Sequence, residues 1–327
     1  MRMARQKNLR LPYYVANLLR FSLPDGIWRA RREQILGRLR DRDAEAVLDR
    51  VHYYNKIAER FALDPARPVF RFSFLRGPRN YYMDLHEYLR YFDPRLKVHF
   101  LFGDIATVPE VPTIVKARPL VPGNANSVLF NLNKIRHYVF AKDGLDFEQK
   151  IDKLVWRGNA KQENRKQFLA RFYGHERCDV GHAHRKNRNS PWTRGYLGIS
   201  GQLKYKFILS LEGNDVASNL KWIMSSNSLC FMARPQRETW FMEGRLAPGF
   251  HYVLLKDDFS DLEEQMDHYL SCPDEAREII RNANRHVDQF RDRELERLVS
   301  LLVLEKYFEM SGQVPGAGKG MEREGRG

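Results

Sequence analysis

Short apolar strands alternate with helices through the second half of the chain. Lys153 to Trp156, Tyr205 to Leu211 and Leu229 to Met232 read as strands, with helices at Gln162 to Tyr173 and Ser218 to Ser225 between them. That alternation predicts a parallel sheet covered by helices on both faces, an α/β architecture. Tyr252 to Leu255 adds a further strand, and Ser260-Asp261-Leu262-Glu263 has the spacing of a capping box opening the next helix. Pro273, suited to a first helical turn, begins a charged helical region that reaches Tyr307 with a break near Arg291 to Arg293. Residues 311–327, rich in glycine and charge with almost nothing to bury, read as a disordered tail.

The first half carries a second pattern of this kind. Val69-Phe70-Arg71-Phe72-Ser73-Phe74, a Gly77-Pro78 turn, a helical stretch from Tyr81 to Tyr91, and Lys97 to Phe102 ending at Gly103-Asp104 predict a β-α-β unit. Thr113 to Lys116 and Ser127 to Leu132 are further strand candidates. A chain of 327 residues suits two domains, and the polar break at Lys142-Asp143-Gly144-Leu145-Asp146 places their boundary near 145, giving 1–145 and 146–310. No internal repeat is visible.

Lysine and arginine exceed the acids by 14, and the excess is concentrated. Residues 1–40 hold ten basic side chains against Asp25 and Glu33, interleaved with Leu9, Leu11, Tyr13, Tyr14, Val15, Leu18, Leu19, Phe21, Ile27 and Trp28. Two readings are open: an interfacial segment on an anionic membrane surface, or a helix pair packed on the domain. Gly181 to Lys206 contains Arg185, Lys186, Arg188, Arg194, Lys204 and Lys206 and no acid. The apolar run Leu11 to Leu19 is too short to span a bilayer and has no cleavage site, so neither a membrane span nor a secretory signal is expected. Three cysteines, Cys178, Cys230 and Cys272, cannot form a disulfide framework and point to a reducing, cytoplasmic compartment.

Two turns carry candidate chemistry. Trp156-Arg157-Gly158-Asn159 follows a strand and precedes a helix bearing Arg165 and Lys166. The segment from Lys204 leads along another strand to Glu212-Gly213, then to Ser218-Asn219-Leu220-Lys221 and a helix. At the carboxyl edge of a doubly wound sheet such glycines let a phosphate approach the backbone, and arginine binds its oxygens bidentately. Each turn alone is compatible with an ordinary strand-turn-helix; two in one domain suggest a nucleotide site. Neither has GxGxxG or GxxxxGK[ST] spacing, which disfavours NAD enzymes and ATPases and leaves a nucleoside-diphosphate sugar open. Asp104 ends a strand of the first domain, either as a turn aspartate or as a carboxylate facing the cleft. His175, Cys178, His182 and His184 match no zinc spacing, and a Gly-x-Ser-x-Gly elbow is missing.

Taken together, Trp156-Arg157-Gly158, Lys204-Tyr205-Lys206, Glu212-Gly213, Ser218-Asn219-Leu220-Lys221, Ser226-Asn227-Ser228 and Phe250-His251-Tyr252-Val253 resemble glycosyltransferase family 90 over roughly residues 68–300. The family joins bacterial lipopolysaccharide A glycosyltransferases, fungal capsule-associated xylosyltransferases and animal protein O-glucosyltransferases; the bacterial branch is the most similar. The resemblance implies a GT-B fold, two Rossmann-like domains facing a central cleft, with a UDP-sugar held mainly by the C-terminal domain. It also implies inversion at the anomeric carbon with no obligatory metal and no cofactor. By the same resemblance Asp104, followed by a Val108-Pro109 turn, aligns with the catalytic base, Arg165 with a diphosphate-binding arginine and Asn159 with a donor contact. Where the animal enzymes carry a second phosphate-binding arginine this chain has Asn219, and Lys221 stands nearby to compensate.

The expected protein is therefore a UDP-sugar-dependent inverting transferase acting on a lipopolysaccharide or other cell-surface glycan, cytoplasmic and peripheral at the inner face of a bacterial inner membrane. Asp104 is the expected base, with Glu243 the next candidate. Arg157, Gly158, Asn159, Arg165, Glu212, Gly213, Ser218, Asn219 and Lys221 are the expected donor contacts. The competing readings are a basic nucleic-acid-binding protein and a catalytically silent membrane-surface adaptor. No nucleic-acid partner is expected on the transferase reading, and oligomeric state is left open.

Overall fold

The computed structural model describes residues 4–64, 79–105, 107–183 and 190–315. The chain forms two compact units: residues 1–135 with 292–327, and residues 136–291. In chain order the helices are α1 (Ala4–Phe21), α2 (Asp25–Gly37), α3 (Ala44–Tyr54), α4 (Arg79–Leu89), α5 (Lys134–His137), α6 (Glu163–Phe172), α7 (Ile199–Gln202), α8 (Leu220–Met224), α9 (Leu262–Ser271), α10 (Pro273–Asp288) and α11 (Arg293–Met310). The strands are β1 (Phe100–Leu101), β2 (Thr113–Val115), β3 (Ala117–Pro119), β4 (Ser127–Leu129), β5 (Ile151–Gly158), β6 (Cys178–His182), β7 (Tyr205–Leu209), β8 (Leu229–Met232), β9 (Arg237–Thr239) and β10 (Val253–Leu254).

The second unit is a parallel five-stranded sheet in the order β10-β8-β7-β5-β6. Its central strands are apolar on both sides, as a sheet covered twice requires. Leu154, Phe207 and Leu229 are register partners on one face, and Val155, Ile208 and Cys230 on the other; all six are buried. The first face packs on α6 and α9 through Phe168, Phe172 and Met266. The expected strands, α6, α8 and the Pro273 start of α10 appear within a few residues of their predicted places. β6, with Asp179 and Gly181 in its five residues, was not foreseen.

The first unit contains a parallel sheet in the order β1-β2-β4. Val69 to Phe74, the expected first strand, lies outside the described residues. Three expectations are corrected. The last helix, α11, belongs with the first unit rather than with residues 146–310. Tyr307 Oη donates to the Pro112 carbonyl at 3.0 Å and accepts from the His99 amide at 3.1 Å, and Glu296 forms a buried ion pair with Arg50 at 2.6 Å. The expected break falls at Asp292, whose carboxylate caps α11 by accepting from the Glu294 and Leu295 amides at 2.9 and 3.1 Å.

Residues 311–315, assigned to the tail, are folded: Gln313 accepts from the Lys97 amide and donates to its carbonyl, both at 2.8 Å. Residues 316–327 lie outside the described residues. The capping box at Ser260 does not form, because the N-cap of α9 is Asp261 and its carboxylate instead accepts from the Lys256 amide at 3.1 Å. The N-terminal segment forms a helix pair packed on the first unit, where the Arg90 guanidinium is bonded to Asp25 at 2.9 Å and to the Leu23 carbonyl at 2.9 Å.

Candidate active site

In the order β10-β8-β7-β5-β6, the chain leaves β5 toward β6 on one side and β7 toward β8 on the other. Adjacent parallel strands whose connections part in this way leave a crevice at their carboxyl ends, the place where open α/β sheets bind ligands. Both strand-glycine turns singled out from the sequence end here, one after β5 and one after β7.

Arg165, in the first turns of α6, joins them. Its Nε donates to the Glu212 carbonyl at 3.1 Å, Nη2 to the Leu211 carbonyl at 2.7 Å, and Nη1 to the Asn159 carbonyl at 3.1 Å and to Gln162 Oε1 at 3.3 Å. Gln162 Nε2 bonds Asn214 Oδ1 at 3.0 Å and Asn164 Nδ2 bonds the Glu212 carbonyl at 3.3 Å, so the two turns move as one. Four acceptors serve the five N–H donors of the guanidinium, none of them a carboxylate. Burial, then the neighbouring Arg136, pulls the Arg165 pKa down to about 10, with Asp215 opposing. A cation that is desolvated and held beside a second arginine is stabilised by an arriving anion.

The glycines make this arrangement sterically feasible. A Cβ on Gly213 would stand 3.1 Å from Arg165 Nη2, and one on Gly158 would stand 2.4 Å from the Trp156 ring. The β5 turn is held further by His182 Nδ1, which accepts from the Ala160 amide at 3.0 Å.

The other expected donor contacts are distributed less uniformly. Asn219 borders the crevice, its Nδ2 donating to the Leu209 carbonyl at 2.9 Å, with Ser218 half-buried beside it. The Glu212 side chain turns to the loop after β8, accepting from the Gln236 amide at 3.2 Å. Burial outweighs the backbone hydrogen bonds there and raises its pKa to about 7.

Arg157 points away from the crevice toward Asp179, with Nη2 to Oδ1 at 2.7 Å. Burial opposes ionisation of Asp179, but hydrogen bonds from Tyr205, Arg157 and Arg194 prevail and hold its pKa below the ordinary range. Lys221 is fully buried, its Nζ 2.5 Å from Glu243 Oε1 and 3.3 Å from Thr239 Oγ1. Both residues of that pair, expected as a donor contact and as the reserve base, are thus engaged with each other.

Asp104 belongs to the first unit. Gly103, at φ 125°, takes a conformation that favours glycine and places Asp104 just past the carboxyl end of β1. Lys116 follows β2, the register partner of β1, and its buried ammonium meets Asp104 Oδ1 at 2.6 Å. Sequence reasoning missed Lys116 and Arg136; the one signal for Lys116 was its position at the end of a predicted strand.

In the basic stretch from Arg185 that motivates the nucleic-acid reading, Arg194 is paired with Asp179, as the adjoining Lys206 is with Asp152, while Arg185, Lys186 and Arg188 lie outside the described residues. His175 and His182 are engaged separately, His175 with Glu263 at 3.4 Å and His182 with Ala160; His184 lies outside the described residues. Among the described residues, His268, Cys272 and Glu275 are the one trio with the ligand types and proximity for a metal, and all three are far along the chain from both turns.

A curated protein described as O-glucosyltransferase LpsA, from Dichelobacter nodosus, is 46% identical over 265 residues, covering 81% of this chain and 83% of the relative. The profile of glycosyl transferase family 90 matches residues 127–310, more than half of the chain and all of the second unit's sheet. The chain is a member of glycosyl transferase family 90.

Proposed function

We propose that this glycosyltransferase moves glucose from a UDP-sugar to a lipopolysaccharide or other cell-surface glycan, with inversion at the anomeric carbon. The division of labour is that of a GT-B enzyme: the second unit holds the donor and the first supplies the base. The observation that carries the reading is the Arg165 guanidinium at the sheet's switch point, half-buried, still cationic at neutral pH and, among the described residues, bonded to no carboxylate. The glucosyl assignment rests on the description of the Dichelobacter relative.

In the transfer step the acceptor oxygen forms a bond to the sugar C1 as the C1–O bond to the diphosphate breaks. The hydroxyl proton passes to a carboxylate oxygen of Asp104, and the bonding pair leaves with UDP. Lys116, 2.6 Å from Asp104, holds that carboxylate in place. Arg165, with Arg136 beside it and the backbone around Gly158 and Gly213, stabilises the charge growing on the leaving diphosphate. Two protein cations at the diphosphate do the work that a divalent ion does elsewhere, so no metal is obligatory.

The test is UDP release measured across UDP-glucose, UDP-galactose, UDP-xylose and their N-acetyl relatives, with and without EDTA. Hydrolysis of UDP-glucose above the others, unaffected by EDTA, is expected. Release from none of them would overturn the donor class, and loss of activity on chelation, restored by Mn²⁺ or Mg²⁺, would overturn the metal-free step.

A further inference from the structure

Among the described side chains of α1, Tyr13, Asn17 and Arg20 face the first unit while Leu11, Val15 and Leu19 are exposed. Tyr13 Oη donates to Asp84 Oδ1 at 2.8 Å, Asn17 is 3% exposed, and Arg20 pairs with Glu87 at 3.1 Å. Leu11, Val15 and Leu19, spaced by four and therefore stacked along the opposite side, are 70%, 45% and 66% exposed. Leu23, in the turn, and Ile27, in the first turn of α2, are also exposed. Scattered exposed leucines need no explanation, but a continuous apolar helix face marks a surface that something covers.

The charge around it identifies the occupant. Residues 1–40 carry ten basic side chains against two acids, and Arg29 and Arg31 on α2 are exposed. Arg29, Arg32 and Arg95, with Tyr91 and Phe92, line a cavity of about 540 Å³. Asp93 and Glu305 are its acids; Arg95 pairs with Asp93 at 2.6 Å and Arg32 with Glu305, which leaves Arg29 as the surplus cation by count. A second copy of this chain docking face to face would set one basic arm against another, at an electrostatic cost. A nucleic acid would have no use for the leucine face.

We propose that this part of the first unit docks on an anionic lipid bilayer. The outward face of α1 enters the acyl boundary, and the exposed α2 arginines, Arg29 and Arg31, lie at the headgroup phosphates. Apolar insertion and charge act together in such surfaces, and either alone is weak. The proposal stands independently of the transferase chemistry.

Cosedimentation of the full chain decides it, using phosphatidylglycerol/phosphatidylcholine vesicles and phosphatidylcholine alone at low and high salt. Two variants accompany the wild type: Leu11→Ser, Val15→Ser and Leu19→Ser combined, and Arg29→Gln with Arg31→Gln. The wild type is expected on the anionic vesicles only, less so at high salt. Each variant is expected to lose about tenfold or more in partitioning, with an unchanged melting temperature. The proposal is overturned if the wild type ignores anionic vesicles, binds neutral ones equally, or is matched by either variant. A lowered melting temperature in the serine variant would show the face to be packed, and a wild-type dimer dissolved by the same variant would assign it to a second copy; both overturn the lipid assignment.

Discussion

Arg165 Nη2 lies 3.1 Å from the point where a Cβ on Gly213 would stand, so a side chain there would press the guanidinium aside by a few tenths of an ångström. Gly213→Ala is expected to displace the guanidinium slightly from its carbonyl acceptors and weaken UDP binding a few-fold. The melting temperature should move little, since Gly213 is not at a positive φ. Calorimetric titration with UDP beside a thermal melt checks both.

How far the sequence carried this site depends on which contacts are local. The second unit's sheet was legible because its strands are short apolar runs closed by glycine turns. β6 was not, since Cys178-Asp179-Val180-Gly181-His182 mixes an acid and a glycine into a strand whose apolar signal is then too thin. Arg165 was visible from its motif, whereas Lys116 and Arg136 depend on strand register and helix placement that no local pattern encodes. The placement of α11 was hidden for a related reason: periodicity shows that a helix buries one face without showing which unit it faces. Lys221 looked like a donor contact because it stands two residues from Asn219, where the resemblance expects a phosphate-binding arginine; its partner Glu243, 22 residues on, could not be read from spacing.

The buried Lys221–Glu243 pair should behave as structure. Glu243→Gln alone leaves an uncompensated buried ammonium and is expected to cost about 3–5 kcal/mol in urea unfolding. The double replacement Lys221→Met with Glu243→Leu should recover most of that and still bind UDP. Loss of UDP binding in a well-folded double variant would return Lys221 to the donor site.

Glu212 makes stability depend on pH. Its folded pKa of about 7 lies above the unfolded 4.5, so its contribution is fully present below the unfolded value and is lost as pH rises through the folded one. Between about pH 5 and 8 the wild type should lose up to about 3 kcal/mol relative to Glu212→Gln, which carries no charge to desolvate. Melting curves of the two proteins at both ends of that window test the sign.

Asp104→Asn keeps an oxygen for Lys116 but removes the proposed base. UDP-sugar binding should persist while transfer falls roughly a hundred- to ten-thousand-fold. Turnover within about tenfold of wild type, below the range of general-base assistance, would move the proton to another group.

The central claim is that the donor diphosphate sits on Arg165 at the switch between β5 and β7. Calorimetric titration of Arg165→Ala with UDP and with uridine measures it most directly, because the two ligands differ only in the diphosphate. Charge-assisted hydrogen bonds are worth about 1.5–3 kcal/mol, so UDP affinity should fall by roughly ten- to a hundredfold while uridine affinity changes little. Equal losses for both ligands, or none for UDP, would contradict the account.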